Sequence, residues 1–334
     1  MLKANQSKFA DTSAQLEELE LKTREFEMEK VKFRDERNAW SKQNYIGGRV
    51  VDKLDKLESE LLSQGKVNFD SHDTQTYESD NDLLVILSDL HIGQCFSSTF
   101  GEYNSDIAEE RLSKYLCEIV KIKDLHGSQN CFVSLQGDMI SNSIHKALAI
   151  TNRENVIEQV KRASELISSF CYELTKHFNR VFLSSVVGNH SRIDRKEDAL
   201  HDERLDSLIE WNVGLSLKHI DNFVVLNRKI DNGIVDIPIR GKTYISVHGD
   251  YDGFSKQGVA NLVLMIGFLP YAILYGHLHT CAVDETNGIK MIRGGSLAGS
   301  GDSYTIEKRL NGKPSQMVCV CDETGVKAYY PIEL

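Results

Sequence analysis

No two cysteines in this sequence form a C-x-x-C pair, no apolar run is long enough to span a bilayer, and no charged-then-apolar leader opens the chain. With an odd total of seven cysteines, the first absence leaves reduced thiols, mostly in the core. The other two predict a cytoplasmic protein without a membrane span. An excess of positive charge is also missing: the net charge is −10 and the pI near 5.6. That disfavours a surface coated in positive charge for nucleic acid. A local basic groove stays open, because steering depends on where charge sits. Internal repeats and low-complexity segments are absent too.

What is present is an ordinary globular composition, 41% hydrophobic and 26% charged, in 334 residues. That length suits one large domain with an appendage, or two domains. Residues 1–64 contain no proline and no glycine outside Gly47-Gly48. Leu19, Phe26, Phe33 and Trp40 recur at heptad spacing, but the second seam (Thr23, Lys30, Arg37) is polar. A coiled coil wants both seams apolar. After the glycine pair, Val50, Leu54, Leu57 and Leu61 make a cleaner helical face. Residues 1–66 are therefore expected to be a helical arm for oligomerisation or for docking a partner protein. Residues 67–82 read as a polar linker, and residues 83–334 as the working domain.

Within that domain, helices are expected over Ser105–Leu125 (Ser105 as N-cap, Gly127 closing), Asn152–Phe178, Asp202–Lys218 and Ser255–Phe268. Strands are expected near the C-terminus at Ile289–Ile292, Gln316–Val320 and Val326–Tyr330, with Gly294-Gly295 and Thr324-Gly325 as turns. Strand-helix alternation followed by a strand-rich tail predicts an α/β protein with two packed sheets and helices outside. Cys319 and Cys321 alternate on one strand and so share a face, which reads as packing.

Five stretches dominate the chemistry: Leu83–His91, Phe132–Asp138, Val181–His190, Thr243–Asp250 and Tyr271–His279. Each opens with a β-branched or aromatic run, read as a buried strand, and ends in Asp, Asn or His. Polar groups at the carboxyl ends of several strands converge on one crevice in an open α/β sheet. Asp89, His91, Asp138, Asn189, His248, His277 and His279 are candidate metal ligands. Four suffice for a tetrahedral site, so the set is large enough for two divalent ions sharing a bridge. Imidazole mixed with carboxylate suits Mn, Fe, Zn or Co better than Ca or Mg, and no thiolate lies in the motifs. Such a centre stays net positive and should attract a phosphate oxyanion. His190, beside Asn189 but pointing elsewhere, is the candidate general acid. Arg192, Arg195 and Lys196 follow on a loop and could bind a phosphate or nucleic-acid backbone, although Asp194, Glu197 and Asp198 are interleaved. His72, His126, His145, His177, His201 and His219 read as surface or helix residues, with His145 a mild exception because it follows the Gly-Asp loop.

Asp-x-His, Gly-Asp, Gly-Asn-His, His-Gly-Asp and Gly-His-x-His, in this order, resemble the calcineurin-like metallophosphoesterase superfamily. The likeness covers about Leu83 to Leu334. It implies a four-layer α/β/β/α sandwich and a dinuclear centre, with manganese the first expectation. One metal would take Asp89, His91, Asp138 and His279, the other Asp138, Asn189, His248 and His277. Asp138 bridges the two and is thereby catalytic, and His190 matches the family's catalytic histidine. Two positions depart from the pattern: Ser191 stands where an acid often follows Gly-Asn-His, and Ser141 where the Gly-Asp motif often ends in Asp. Gly188–Asp194, Asp202–Asp206 and Gly294–Gly301 resemble the phage and prophage, DNA repair exonuclease-like branch; a phage-encoded chain would work in the host cytoplasm.

The function this implies is phosphodiester hydrolysis by a metal-bridging hydroxide with His190 as acid, and DNA or another nucleic acid as substrate. A phosphodiesterase of cyclic or dinucleotides, or a phosphomonoesterase, is the alternative. A non-catalytic scaffold is a third reading, and a complete ligand set speaks against it.

Overall fold

The computed structural model describes residues 69–334, apart from 73–75, 145, 195 and 197, together with Lys22 and Lys32, which are helical and exposed. The chain divides into two units, Met1–Asn68 and Phe69–Leu334. The heptad stripe, the Gly47-Gly48 break and the oligomerising or docking role expected of residues 1–66 lie outside the described residues.

The second unit is built on two six-stranded sheets. The first runs β14 (Gly325–Glu333), β13 (Ser315–Asp322), β1 (Asp82–Leu87), β4 (Asn130–Leu135), β5 (Arg180–Ser185), β6 (Phe223–Val225). β1, β4, β5 and β6 are parallel, and β13 and β14 add antiparallel strands at one side. The second runs β11 (Ala282–Thr286), β12 (Ile289–Arg293), β10 (Ala272–Tyr275), β9 (Lys242–Ser246), β8 (Ile234–Ile239), β7 (Lys229–Asp231). Its central trio β9, β10 and β12 is parallel. A small hairpin, β2 (Phe96–Ser98) with β3 (Gly101–Tyr103), stands apart.

Strand alternation sorts the apolar side chains into three layers of core. From β1, Leu83, Val85 and Leu87 face the helices α1 (Ser105–His126), α3 (Val156–Thr175) and α4 (Leu205–Ser216), packing with Tyr115, Ile167 and Ile209. Leu84 and Ile86 face the other way, into a core between the sheets that includes Phe132, Ile237, Tyr244, Leu274 and Ile292. Cys319 and Cys321 both lie in that inter-sheet core, as their shared face required. The outer face of the second sheet, with Ile245, Val247 and Ile273, is covered by α5 (Lys256–Ile266) through Val259 and Leu262. Helix, sheet, sheet, helix is the four-layer α/β/β/α sandwich. Each fully buried Leu, Ile or Val contributes about 1.5–3 kcal/mol.

The structure corrects several element boundaries, for identifiable reasons. Asn104, not Ser105, caps α1: its side chain accepts from Asp106 N and Ile107 N, and Gly127 closes the helix in the left-handed conformation. The helix expected over 152–178 is shorter, with α3 starting at Val156 and ending at Thr175, and a separate α2 (Lys146–Thr151) that was not expected precedes it. Asn152 instead binds Ser141 and Asn142, while Asn155 opens α3 through a capping box with Glu158. α4 begins at Leu205, and the side chain of Asp202 accepts from Asn232. A short α6 (Ser303–Lys308) follows Asp302.

The polar stretch before β1 also belongs to the sandwich. Phe69 is buried against the helices, the Tyr77 hydroxyl reaches Ser128 O at 2.8 Å, and Asn179 binds Tyr77 O at 2.6 Å. Among the described residues no helix is long and apolar enough to cross a membrane.

Candidate metal centre

Each of the five motifs begins where its strand stops. Asp89 and His91 follow β1, Asp138 follows β4, and Asn189 and His190 follow β5. His248 follows β9, and His277 and His279 follow β10. Three loops come from the first sheet and two from the second, all from carboxyl ends. The sheets are locked together beneath them: Gln136 donates to Ser246 Oγ at 2.7 Å, and Ser134 and Ser246 hydroxyls meet at 3.1 Å.

The side chains close into overlapping clusters in which candidate ligand atoms lie within 4.8 Å of one another: Asp89, His91 and His279; Asp138, His248 and His277; and His91, Asp138 and His190 between them. His91 Nε2 lies 3.2 Å from His279 Nε2. His279 Nε2 is 3.2 Å from Asp89 Oδ1, and His91 Nε2 is 3.8 Å from it. On the other side, His248 Nε2 lies 3.3 Å from Asp138 Oδ2 and 3.1 Å from Asn189 Oδ1. All seven candidate ligands therefore come together, with Asp138 common to both halves.

Backbone strain concentrates here. Nine described non-glycine residues have positive φ, and five of them are Asp89, His91, Asp138, His277 and His279. Left-handed backbone costs such residues on the order of 1 kcal/mol each and clusters at functional sites. The loops hold it with hydrogen bonds: His91 N to Asp138 O at 3.0 Å, His277 N to Asp89 Oδ2 at 2.9 Å, His190 N to Asp138 Oδ1 at 2.7 Å. Gly188 is required for space, since a Cβ there would sit 2.1 Å from Asp138 Oδ1.

The donor set suits a divalent cation. Asp89 Oδ1 is buried and faces only the imidazoles of His279 and His91, without a well-aligned donor, an arrangement that is costly unless a cation answers it. His248 Nδ1 lies 2.6 Å from Gln136 O, which can only accept, so Nδ1 carries a proton and Nε2 is the nitrogen turned to the site. Electrostatics pull the group in opposite directions. Burial first, then the neighbouring imidazoles, push His91 down to about 3. At His248 burial works downward too, but the Asp138 carboxylate overrides it and holds the ring near 10. Burial raises Asp89, and His279 outweighs it, leaving the carboxyl at about 2. A bound cation would release the proton from His248.

His190 sits beside the shared ligand. Its ring centroid is 4.6 Å from that of His91, and Nδ1 lies 2.9 Å from Ser141 O. That carbonyl fixes the ring, so Ser141 orients His190 with its backbone rather than through a side-chain carboxylate. Asn142 Nδ2 holds the carbonyls of His190 and Arg192, each at 2.6 Å.

Of the three basic residues, the two that are described differ in exposure. Arg192 is buried at 6% exposure, whereas Lys196 is exposed. Arg195 and His145 lie outside the described residues. Sequence reasoning missed Asn142, Arg204 and Asp206. Arg204 is buried and donates to Gly188 O at 3.1 Å and to the Tyr251 hydroxyl at 3.3 Å. Burial and then Asp138 raise the Asp206 carboxyl. Only the Asp202–Asp206 stretch carried any signal, and it gave no role.

Fold and cluster together define a class: an α/β/β/α sandwich with a histidine-carboxylate centre at the carboxyl ends of both sheets. No family model matches the chain. It is 22% identical over 305 residues to the SPbeta prophage-derived uncharacterized protein YonJ of Bacillus subtilis (strain 168), covering 88% of this chain and 75% of that protein. Among solved structures it is similar to an archaeal phosphodiesterase, at 14% identity and a TM-score of 0.37 over 75% of this chain and 99% of that one. It is also similar to Vps29 from Entamoeba histolytica complexed with zinc, at 12% identity and a TM-score of 0.34 over 75% of this chain and 98% of that one. Likeness this distant carries no chemistry, which rests on the side chains themselves.

Proposed function

We propose that this chain is a metal-dependent phosphoesterase of the calcineurin-like superfamily that hydrolyses phosphodiesters, with DNA as its substrate. The observation that carries the reading is the convergence of seven ligand-type side chains, five on left-handed backbone, around the shared Asp138 with His190 beside it. Asp89, His91, Asp138 and His279 would hold one divalent ion, and Asp138, Asn189, His248 and His277 the other, manganese being the first choice. When bound, such ions supply positive charge for phosphoryl oxygens and lower the pKa of water. The chain's own work is positional. Asp138 keeps the two halves in register. His190, fixed through Nδ1, presents its other ring nitrogen to protonate the leaving oxygen.

The DNA assignment is supported by a prophage-derived relative and by Lys196 on the loop after His190. The net charge of −10 favours the second reading, a phosphodiesterase of small cyclic or dinucleotides. A cleavage panel with manganese-loaded protein separates them, with Asp138→Asn as the blank. It holds linear, circular and single-stranded DNA, RNA, cyclic dinucleotides and paired chromogenic diester and monoester substrates. Cleavage of DNA that is absent in the blank is expected. Turnover confined to the small diesters would replace DNA with the second reading, and no turnover on any of them would remove the enzyme reading.

A further inference from the structure

We infer that Asp206 is a positioning residue for the metal centre: its buried carboxylate holds the Gly-Asp and Gly-Asn-His loops in the relative placement that lets Asp138 and Asn189 face the same ion. The inference rests on the metal reading above. Asp206 lies in the first turn of α4 and is fully buried. An acid there ordinarily answers its own helix's amides. Here α4 has no side-chain cap at Arg204. Asp206 Oδ2 instead accepts from Asp138 N at 3.1 Å and Gly188 N at 2.8 Å, and Oδ1 from Met139 N at 3.2 Å.

One carboxylate thus gathers amides from two loops that follow different strands, at the peptide units of one ligand and just before another. Neighbouring contacts work the same way. Arg204 Nη1 holds Gly188 O at 3.1 Å, so both polar groups of that glycine are gripped from the start of α4. Leu205 N donates to Ser191 O at 2.9 Å. Partners that orient ligating groups typically change metal affinity by about 10- to 100-fold when removed. An amide in place of Asp206 would keep one acceptor and turn an N–H toward amides that are themselves donors.

The test is titration of the metal-free full-length protein with Mn²⁺ alone, followed by calorimetry, for wild type, Asp206→Asn and the double variant Asp206→Asn/Ser191→Asp. The Ser191 hydroxyl donates to Gly188 O at 2.8 Å, beside the Gly188 amide that Asp206 holds, so the second change returns a carboxylate to the same neighbourhood. A Mn²⁺ Kd about 10- to 100-fold weaker in Asp206→Asn, recovered at least in part in the double variant, is expected. Equal Kd values in wild type and Asp206→Asn, with only a lower melting temperature for the metal-free variant, would reduce Asp206 to a structural role and overturn the inference. Should Asp206→Asn not fold, Asp206→Glu carries the test with the same direction and a smaller loss. Wild-type protein that binds Mn²⁺ yet cleaves nothing would sink the proposed activity and leave this inference standing.

Discussion

His190 and Asn189 are neighbours in sequence but meet different partners, because the chain turns between them. Asn189 Oδ1 meets His248, while His190 is steered by Ser141 O toward the far side of Asp138. A general acid matters most where the leaving oxygen is a poor one. His190→Ala is therefore expected to lower kcat by about 10²- to 10⁴-fold on an alkyl diester, and by much less on a nitrophenyl diester. Equal losses on both would remove the acid role. A second residue-scale expectation concerns Asp252. Burial, then the charges of Asp250 and Asp231, raise its carboxyl to about 6, against an ordinary value near 4. Folding therefore favours the protonated form. Its contribution to stability is complete below about pH 4 and is lost as pH rises through about 6. With metal chelated, Asp252→Asn should match wild type near pH 4 and gain stability relative to it by pH 7, as read from urea midpoints. A difference independent of pH would contradict this.

At the scale of elements, one ion pair joins the two sheets at the end opposite the site. Arg240, in the turn between β8 and β9, donates from Nε to Asp82 Oδ2 at 2.6 Å and from Nη2 to Asp82 Oδ1 at 3.0 Å, at the start of β1. Its Nη2 also reaches Gln129 Oε1 at 2.9 Å. The fork is bidentate and Asp82 is buried. Arg240→Ala is expected to cost about 1.5–3 kcal/mol, and Arg240→Lys to restore only part of it, because an ammonium cannot fill both oxygens and the glutamine together. Full rescue by lysine, in denaturant titration, would show that charge alone matters. This link was illegible in the sequence, whereas the strands bearing the motifs were plain. Leu83–Leu87 is a contiguous apolar run and Phe132–Leu135 is broken only by Ser134, so their alternation already specifies two buried faces. α2 was hidden, because the turn that follows it is fixed by Asn152, whose partners Ser141 and Asn142 only the tertiary fold supplies. The candidate ligands could be picked out because each motif bears its own chemistry. Asp206 could not, because its partners are backbone amides, which leave no mark in a sequence.

For the molecule as a whole, the same burial that positions the ligands protects the thiols. Cys131, Cys171, Cys319 and Cys321 are buried, and burial pushes all four thiols upward, Cys171 and Cys321 to about 12. Only a thiolate attacks readily. Native protein should therefore react quickly with a disulfide reagent at exposed Cys117 and more slowly at half-buried Cys95, while the four core thiols wait for denaturant. Rapid reaction of Cys319 or Cys321 in native protein would mean that the inter-sheet core opens.

A bound metal would link the two sheets much as the core does, since the candidate ligands come from loops of both. An ion that binds only the folded state stabilises it by about 2.7 kcal/mol at one hundred times its Kd. For a domain of this size that corresponds to roughly 5–10 °C in melting temperature. Chelation should therefore lower the melting temperature of wild type by that order, and manganese should restore it. Asp138→Asn, which removes the shared carboxylate, should lose most of this increment. His190→Ala should keep most of it, because the role assigned to His190 is proton transfer. A melting temperature indifferent to both chelator and metal would mean that the strained loops hold their shape for some other reason. An increment lost in His190→Ala would place that imidazole among the ligands, where its position within the cluster of His91 and Asp138 already permits it to stand.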